Sequence, residues 1–228
     1  QAASLVPPKP ATRIATAQVR TAKMTPETAD REIWKTAALL IAICLHNLVY
    51  PVSQTGLAGA GAFYVFYGAL YVAAAWLLSE NPLLRKSALA AGIAVFVAGI
   101  ANSALPSSAS ALAVFSTSIA YHLVAVIVFT GYISSASKVF TEVVLAAASL
   151  YLVIGSGFAA LYGLVAWFDP AAFVAAGEPV TSWQQLLYFS YVTLTSVGYG
   201  DILPVNYYAQ SLSVFEAIVG VLYTVILL

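Results

Sequence analysis

The chain has 228 residues, 61% of them hydrophobic, with 8% charged residues and a formal net charge of zero. Soluble domains carry about 25% charged residues, so this composition excludes an ordinary water-soluble domain and points to a chain embedded in a lipid bilayer. The absence of a basic excess removes the electrostatic case for nucleic acid.

Residues 1–24 are rich in Pro, Ala and Thr with scattered basic residues, and read as a poorly ordered cytoplasmic tail. The chain starts at Gln1 rather than Met and ends at Leu228 inside an apolar run, so both ends are expected to be cut. No basic segment, short apolar stretch and cleavage site of a signal peptide opens it. Thr25-Pro26-Glu27 is a helix start: a hydroxyl cap, a proline in the first turn and an acid at the positive end.

Apolar runs then predict membrane helices over 33–50, 59–78, 87–105 and 110–133, punctuated by Pro51, Asn81-Pro82 and Pro106. Each is close to the ~20 residues that span the hydrocarbon core. A fifth run, 139–167, is long enough to tilt. Its Gly155, Ala159 and Gly163 form a small-residue stripe that admits a close neighbour, expected to be the sixth helix. Residues 169–180 form an outer loop. Thr181 or Ser182 caps a helix over 183–195, too short to span, and a sixth membrane helix runs from 207 to 228 or beyond. Cys44 lies in an apolar run without a second cysteine and reads as a small buried hydrophobe.

All nine Lys and Arg residues lie in the first 35 residues, at Arg85-Lys86 or at Lys138, while the loops 51–58 and 106–109 carry none. The positive-inside rule therefore places the N-terminus in the cytoplasm of a multi-pass protein of the cell membrane. Trp34, Trp76, Trp167 and Trp183 fall near helix ends, where interfacial aromatic belts sit.

Between the short helix and the last apolar run lies Thr193-Leu194-Thr195-Ser196-Val197-Gly198-Tyr199-Gly200-Asp201. A dehydrated cation needs a cage of oxygens in place of its water shell. Turning successive backbone carbonyls toward one side requires alternating left- and right-handed backbone angles, which Gly198 and Gly200 tolerate. The stretch resembles the selectivity filter of tetrameric potassium channels, T-V-G-Y-G-D, with Ser196 in the place of the first Thr. The resemblance covers residues 138–228 and implies an all-α membrane protein of the six-transmembrane, voltage-gated-like superfamily, with six transmembrane helices plus a re-entrant pore helix and filter loop. It divides the chain into a cytoplasmic tail and short helix (1–32), a four-helix transmembrane domain (33–137) and a pore domain (138–228).

The resemblance implies K⁺ coordination by Ser196, Val197, Gly198, Tyr199 and Gly200, K⁺ ions as the conducted species, and a homotetramer in a lipid bilayer. It places Asp201 behind the filter mouth, where Tyr188 has a hydroxyl to offer it and Phe189 has none. Val192 stands where some relatives carry a Glu. Gly220 is either a hinge or a close-packing glycine, and Val221, Thr224 and Leu228 are expected to line the cavity. Glu216, an acid inside a membrane helix, is a functional candidate by default; it is expected to face the pore helix and bond to hydroxyls or backbone, with pH sensing as the alternative.

The fourth helix contains no Lys, Arg, Asp or Glu, so no voltage sensor is expected. A short link over 134–139 is expected to keep helices one to four on their own pore domain. His46 and His122 have no metal-ligand partners at helical spacing and read as structural. No spacing suggests a catalytic triad or other nucleophile–base pair, so no enzyme is expected. The expected function is passive, selective K⁺ conduction without intrinsic voltage sensing, with a gating ligand left unknown. The alternatives are a weakly selective cation channel and a non-conducting membrane scaffold or sensor.

Overall fold

The structure, a computed structural model, describes residues 26–136 and 138–227. Among the described residues, seven α-helices run in order: α1 (Pro26–Leu48), α2 (Leu57–Leu78), α3 (Pro82–Ala104), α4 (Ser108–Ser135), α5 (Thr141–Phe168), the short α6 (Trp183–Leu194) and α7 (Tyr207–Leu227). A 3₁₀ turn over Tyr50–Gln54 joins α1 to α2. Five described helices, α2 to α5 and α7, are long and apolar enough to cross a membrane. Helix α1 falls outside that group because Asp30, Arg31, Glu32 and Lys35 make its first turns polar, and Lys35 pairs with Glu32 at 2.7 Å.

The helix starts follow local chemistry. Asn81 accepts from the backbone N–H of Leu83 at 2.9 Å, which makes Pro82 the first residue of α3 and begins that helix five residues earlier than the apolar run suggests. Ser107 and Ser110 bond reciprocally at the start of α4. Ser182 caps α6 by accepting from Gln185 N at 3.4 Å. The predicted cap at Thr25 and the tail before it lie outside the described residues.

The chain is not all helix. Three short strands, β1 (Phe173–Ala175), β2 (Glu178–Pro179) and β3 (Leu203–Pro204), form an antiparallel sheet in the order β2-β1-β3. Residues 169–180, expected as a loop, thus contain a hairpin turned by Ala176 and Gly177, both at positive φ (51° and 86°). That is the twist a two-residue hairpin prefers.

Helices α1 and α4 both pack against α5 of the same chain. On α1 the buried positions Thr36, Leu39, Ile43 and His46 recur at three and four residues, one stripe facing the core. Cys44 falls off that stripe and is exposed, contrary to the expected burial. Helices α2 and α3 cross where Gly68 meets Gly92; a Cβ on Gly92 would sit 2.6 Å from the Gly68 carbonyl oxygen, so small residues permit the crossing. The partners of the α5 stripe also differ from expectation. A Cβ on Gly155 would strike the ring of Tyr191 on α6, and one on Gly163 would strike Phe115 on α4. The stripe receives aromatic rings rather than the backbone of α7.

The centre of the four-helix layer is a cluster of buried tyrosines. Tyr121 donates its hydroxyl to the Gly68 carbonyl at 2.6 Å and accepts from Tyr71 N (3.1 Å) and Val72 N (3.0 Å). Losing a buried hydroxyl that satisfies backbone groups costs ~1–3 kcal/mol. Tyr121→Phe is therefore expected to lower the thermal unfolding midpoint of the detergent-purified protein; an unchanged midpoint would place those backbone groups in contact with other donors and acceptors.

Candidate functional site

Helix α6 has 12 residues, a length of roughly 18 Å, well short of the ~30 Å hydrocarbon core. It buries Leu186, Leu187, Phe189, Ser190 and Leu194, a face of three- and four-residue spacing, against α5 and α7. The ring of Phe189 stands edge-on to Tyr162 (5.1 Å) and Phe173 (5.4 Å). Asn47 of α1 donates to the Tyr191 hydroxyl at 2.7 Å, and that hydroxyl donates to the Leu152 carbonyl of α5 at 2.8 Å.

The segment after α6 is extended, and its backbone alternates. Ser196, Gly198 and Gly200 have φ of 59°, 59° and 75°, whereas the residues between them are not at positive φ. The left-handed angles at the two glycines were legible from residue type; the one at Ser196 was not, and a side chain there costs roughly 1–2 kcal/mol. The Val192 carbonyl accepts from both Val197 N (3.0 Å) and Gly198 N (3.3 Å), which ties the start of this segment to α6. Residues 196–201 are exposed, Val197 at 52% and Tyr199 at 69%. Tyr188 donates to Asp201 Oδ2 at 2.8 Å, and its ring stacks parallel to that of Tyr199 at 6.4 Å.

Glu216 of α7 is fully buried. Its carboxylate accepts from the hydroxyls of Tyr162 on α5 and Ser190 on α6, and Ser190 also contacts the Gly155 carbonyl at 2.7 Å. One acid thus joins three helices. One turn later, a Cβ on Gly220 would sit 2.0 Å from the Leu194 carbonyl oxygen; the glycine is where α7 touches the end of α6. The Leu194 carbonyl also accepts from the Tyr151 hydroxyl at 3.1 Å. Val221 and Thr224 lie on the exposed side of α7, and Leu228 lies outside the described residues.

One pair escaped the sequence reading. His122 Nε2 lies 3.0 Å from Ser156 Oγ, and His122 Nδ1 lies 2.8 Å from the Ser118 carbonyl. Thirty-four residues separate the two side chains, so no local spacing announces them. Both are buried. Ser156 donates within its own helix, to the Leu152 or Val153 carbonyl, and Tyr67 and Tyr71 close over the pair. The contact fastens α4 to α5.

Residues 139–228 match a family model described as an ion channel. The matched span takes in α5, the hairpin, α6, the alternating segment and α7, while α1 to α4 lie outside it. Neither the curated proteins nor the solved structures gave a match. With five described helices long and apolar enough to span, the protein is a multi-pass membrane protein, and its C-terminal span is the part similar to ion channels.

Burying a carboxylate is tolerable only with hydrogen-bond donors around it, and Glu216 has two. Removing the acceptor strands the Tyr162 hydroxyl at ~1–3 kcal/mol, while Ser190 keeps the Gly155 carbonyl as an acceptor. Glu216→Ala is expected to lower the unfolding midpoint more than Glu216→Gln, which keeps an acceptor oxygen. Equal midpoints in both variants and the wild type, read by thermal melts, would contradict the role of this carboxylate as a three-helix tie.

Proposed function

We propose that the protein conducts K⁺ selectively and passively through a homotetrameric pore of the cell membrane, without intrinsic voltage sensing. The observation that carries this reading is the alternation of positive φ at Ser196, Gly198 and Gly200. In an ordinary strand, successive carbonyls point to opposite sides. Left-handed angles at every second residue favour turning the carbonyls of Ser196 to Gly200 toward one line, with the Ser196 hydroxyl closing its inner end. One segment supplies one side of a cage, so four copies about an axis complete it. The exposure of residues 196–201 in a single chain fits a surface that neighbouring copies face.

In this arrangement α6 is re-entrant and returns through the filter, and its C-terminal end directs partial negative charge toward an ion below. Helix α1 makes the sixth crossing: its polar first turns sit at the cytoplasmic surface and its 23 residues reach roughly 34 Å. With the basic residues inside, the N-terminus is cytoplasmic and the filter opens outward. Val221, Thr224 and Leu228 line the inner cavity, Tyr188 and Asp201 support the mouth, and Gly220 permits the close approach of α7 to α6.

Flux into liposomes tests the reading. The purified protein is expected to pass K⁺ and Rb⁺ well and Na⁺ poorly, each tenfold preference corresponding to ~1.4 kcal/mol of differential coordination. Equal K⁺ and Na⁺ permeability would make it a weakly selective cation channel, and no flux a scaffold. Gly198→Ala, which puts a side chain at a φ of 59°, is expected to abolish conduction or selectivity.

Voltage sensing needs charge in the field: one elementary charge is worth ~2.3 kcal/mol per 100 mV, and steep gating takes three to four charges per subunit. Helix α4 has no Lys, Arg, Asp or Glu, and the charges of α3 lie in its first turn. The conductance–voltage curve in symmetric K⁺ without divalent ions is expected to be shallow. A steep sigmoid with gating currents that survive pore block would refute this.

A further inference from the structure

The start of the segment 195–201 hangs on three consecutive carbonyls of α6. Tyr191 O accepts from Thr195 N (3.0 Å) and from the Thr195 hydroxyl (2.6 Å). Val192 O accepts from Val197 N and Gly198 N, and Thr193 O accepts from Ser196 N (2.9 Å). Where residue 191 sits therefore decides where the left-handed angles at Ser196 and Gly198 begin.

Of these three residues, Tyr191 has a side chain tied to two other helices. Its ring fills the notch that Gly155 of α5 leaves open; a Cβ on Gly155 would lie 2.5 Å from it. Its hydroxyl donates to the Leu152 carbonyl of α5 at 2.8 Å and accepts from Asn47 Nδ2 of α1 at 2.7 Å. Asn47 and Tyr191 are 144 residues apart in sequence.

The amide at position 47 comes at a cost. Asn47 Oδ1 is enclosed and has no hydrogen-bond partner within the protein, and an enclosed polar atom without one destabilises the fold. A leucine of similar size would remove that oxygen. The Tyr191 hydroxyl would still have the Leu152 carbonyl as its acceptor, so no donor would be stranded. Stability of the fold thus does not account for an amide here, whereas the bond from its nitrogen to Tyr191 does.

We propose that Asn47 is a positioning residue for the segment 195–201, acting through Tyr191. The amide holds the hydroxyl, the hydroxyl and ring hold residue 191 in the Gly155 notch, and the carbonyl of residue 191 holds Thr195. A consequence for ion selectivity rests on the proposed function; the hold on the segment does not.

Hydrogen–deuterium exchange of the full chain in lipid nanodiscs, read on peptides covering 195–201, tests the hold. Asn47→Leu is expected to speed exchange at residues 195–198 about tenfold, equivalent to ~1.4 kcal/mol. Its thermal unfolding midpoint is expected to stay at or above that of the wild type, which a merely structural contact would not allow. Tyr191→Phe keeps the ring over Gly155 and removes the hydroxyl; it is expected to speed exchange at the same residues, and the double variant to exceed neither single one. Bi-ionic reversal potentials add a second readout: where the wild type prefers K⁺ to Na⁺, both single variants are expected to lose part of that preference. Unchanged exchange at 195–198 in Asn47→Leu would overturn the proposal. So would faster exchange spread over all the helices with a lowered midpoint, or single effects that add in the double variant. A wild type that does not distinguish K⁺ from Na⁺ would instead overturn the proposed function and leave the exchange result to decide the role of Asn47.

Discussion

The placement of the last turn of α6 governs everything that follows it. The extended segment 195–201 has no helix or long strand of its own, so its position is inherited from the helix before it. That helix is held at its end from two sides. The Tyr151 hydroxyl of α5 reaches the Leu194 carbonyl, and α7 approaches the same carbonyl so closely that only the missing side chain of Gly220 makes room. One turn earlier, Ser190 meets the Gly155 carbonyl and the Glu216 carboxylate. A helix is stiff along its axis, so fixing these two turns fixes where residue 195 begins. The arrangement uses short-range contacts with little tolerance: a single added methyl at position 220 would have to displace backbone.

How much of this was legible depended on whether the physics acted locally. The helices were legible because a bilayer demands long apolar runs, and the ends that moved did so where a cap outweighed hydropathy, as at Asn81 before α3. The left-handed positions at Gly198 and Gly200 were legible because few residues tolerate them. Ser196 carries no such mark, since its angle is imposed by its neighbours: Ser196 N bonds back to Thr193 O at 2.9 Å and Val197 N to Val192 O. The hairpin at 173–179 was missed for a similar reason. Its strands are two and three residues long, and its turn begins with Ala176, a residue type that does not announce positive φ. The pairing of His122 with Ser156, and the rings that fill the gaps at Gly155 and Gly163, belong to tertiary packing and leave no periodic trace.

Helices α1 to α4 meet the matched domain through neutral groups. Asn47 bonds to Tyr191, His122 to Ser156, Tyr71 to Ser156, and Trp167 Nε1 to the Ser108 carbonyl at 2.9 Å. In a medium of low dielectric, such bonds are short-ranged and directional, and each one unmade leaves a costly orphan. A layer joined in this way acts as a brace: it resists displacement of α5 and α6, and nothing in α4 gives an electric field a grip on it. Asn47 matters most, since its partner Tyr191 lies on α6 itself and occupies the space that Gly155 leaves open.

Such a brace has a physical reason to exist. A non-glycine residue at a φ of 59° stores roughly 1–2 kcal/mol, and strain of that size persists only where the surroundings over-determine the conformation. At the start of the segment, the doubly accepting Val192 carbonyl fixes the backbone on either side of Val197. At its far end, the hold is different. The residue next to Tyr188 is Phe189, which has no donor to offer and instead packs its ring against Tyr162 and Phe173. Phe173 belongs to β1, and β1 pairs with β3 just beyond Asp201. The apolar ring therefore reaches the far side of the segment through the hairpin, while Tyr188 reaches it directly through Asp201. Rigidity at this end of the segment rests on a three-stranded sheet and a stack of rings, with one exposed hydrogen bond added to them.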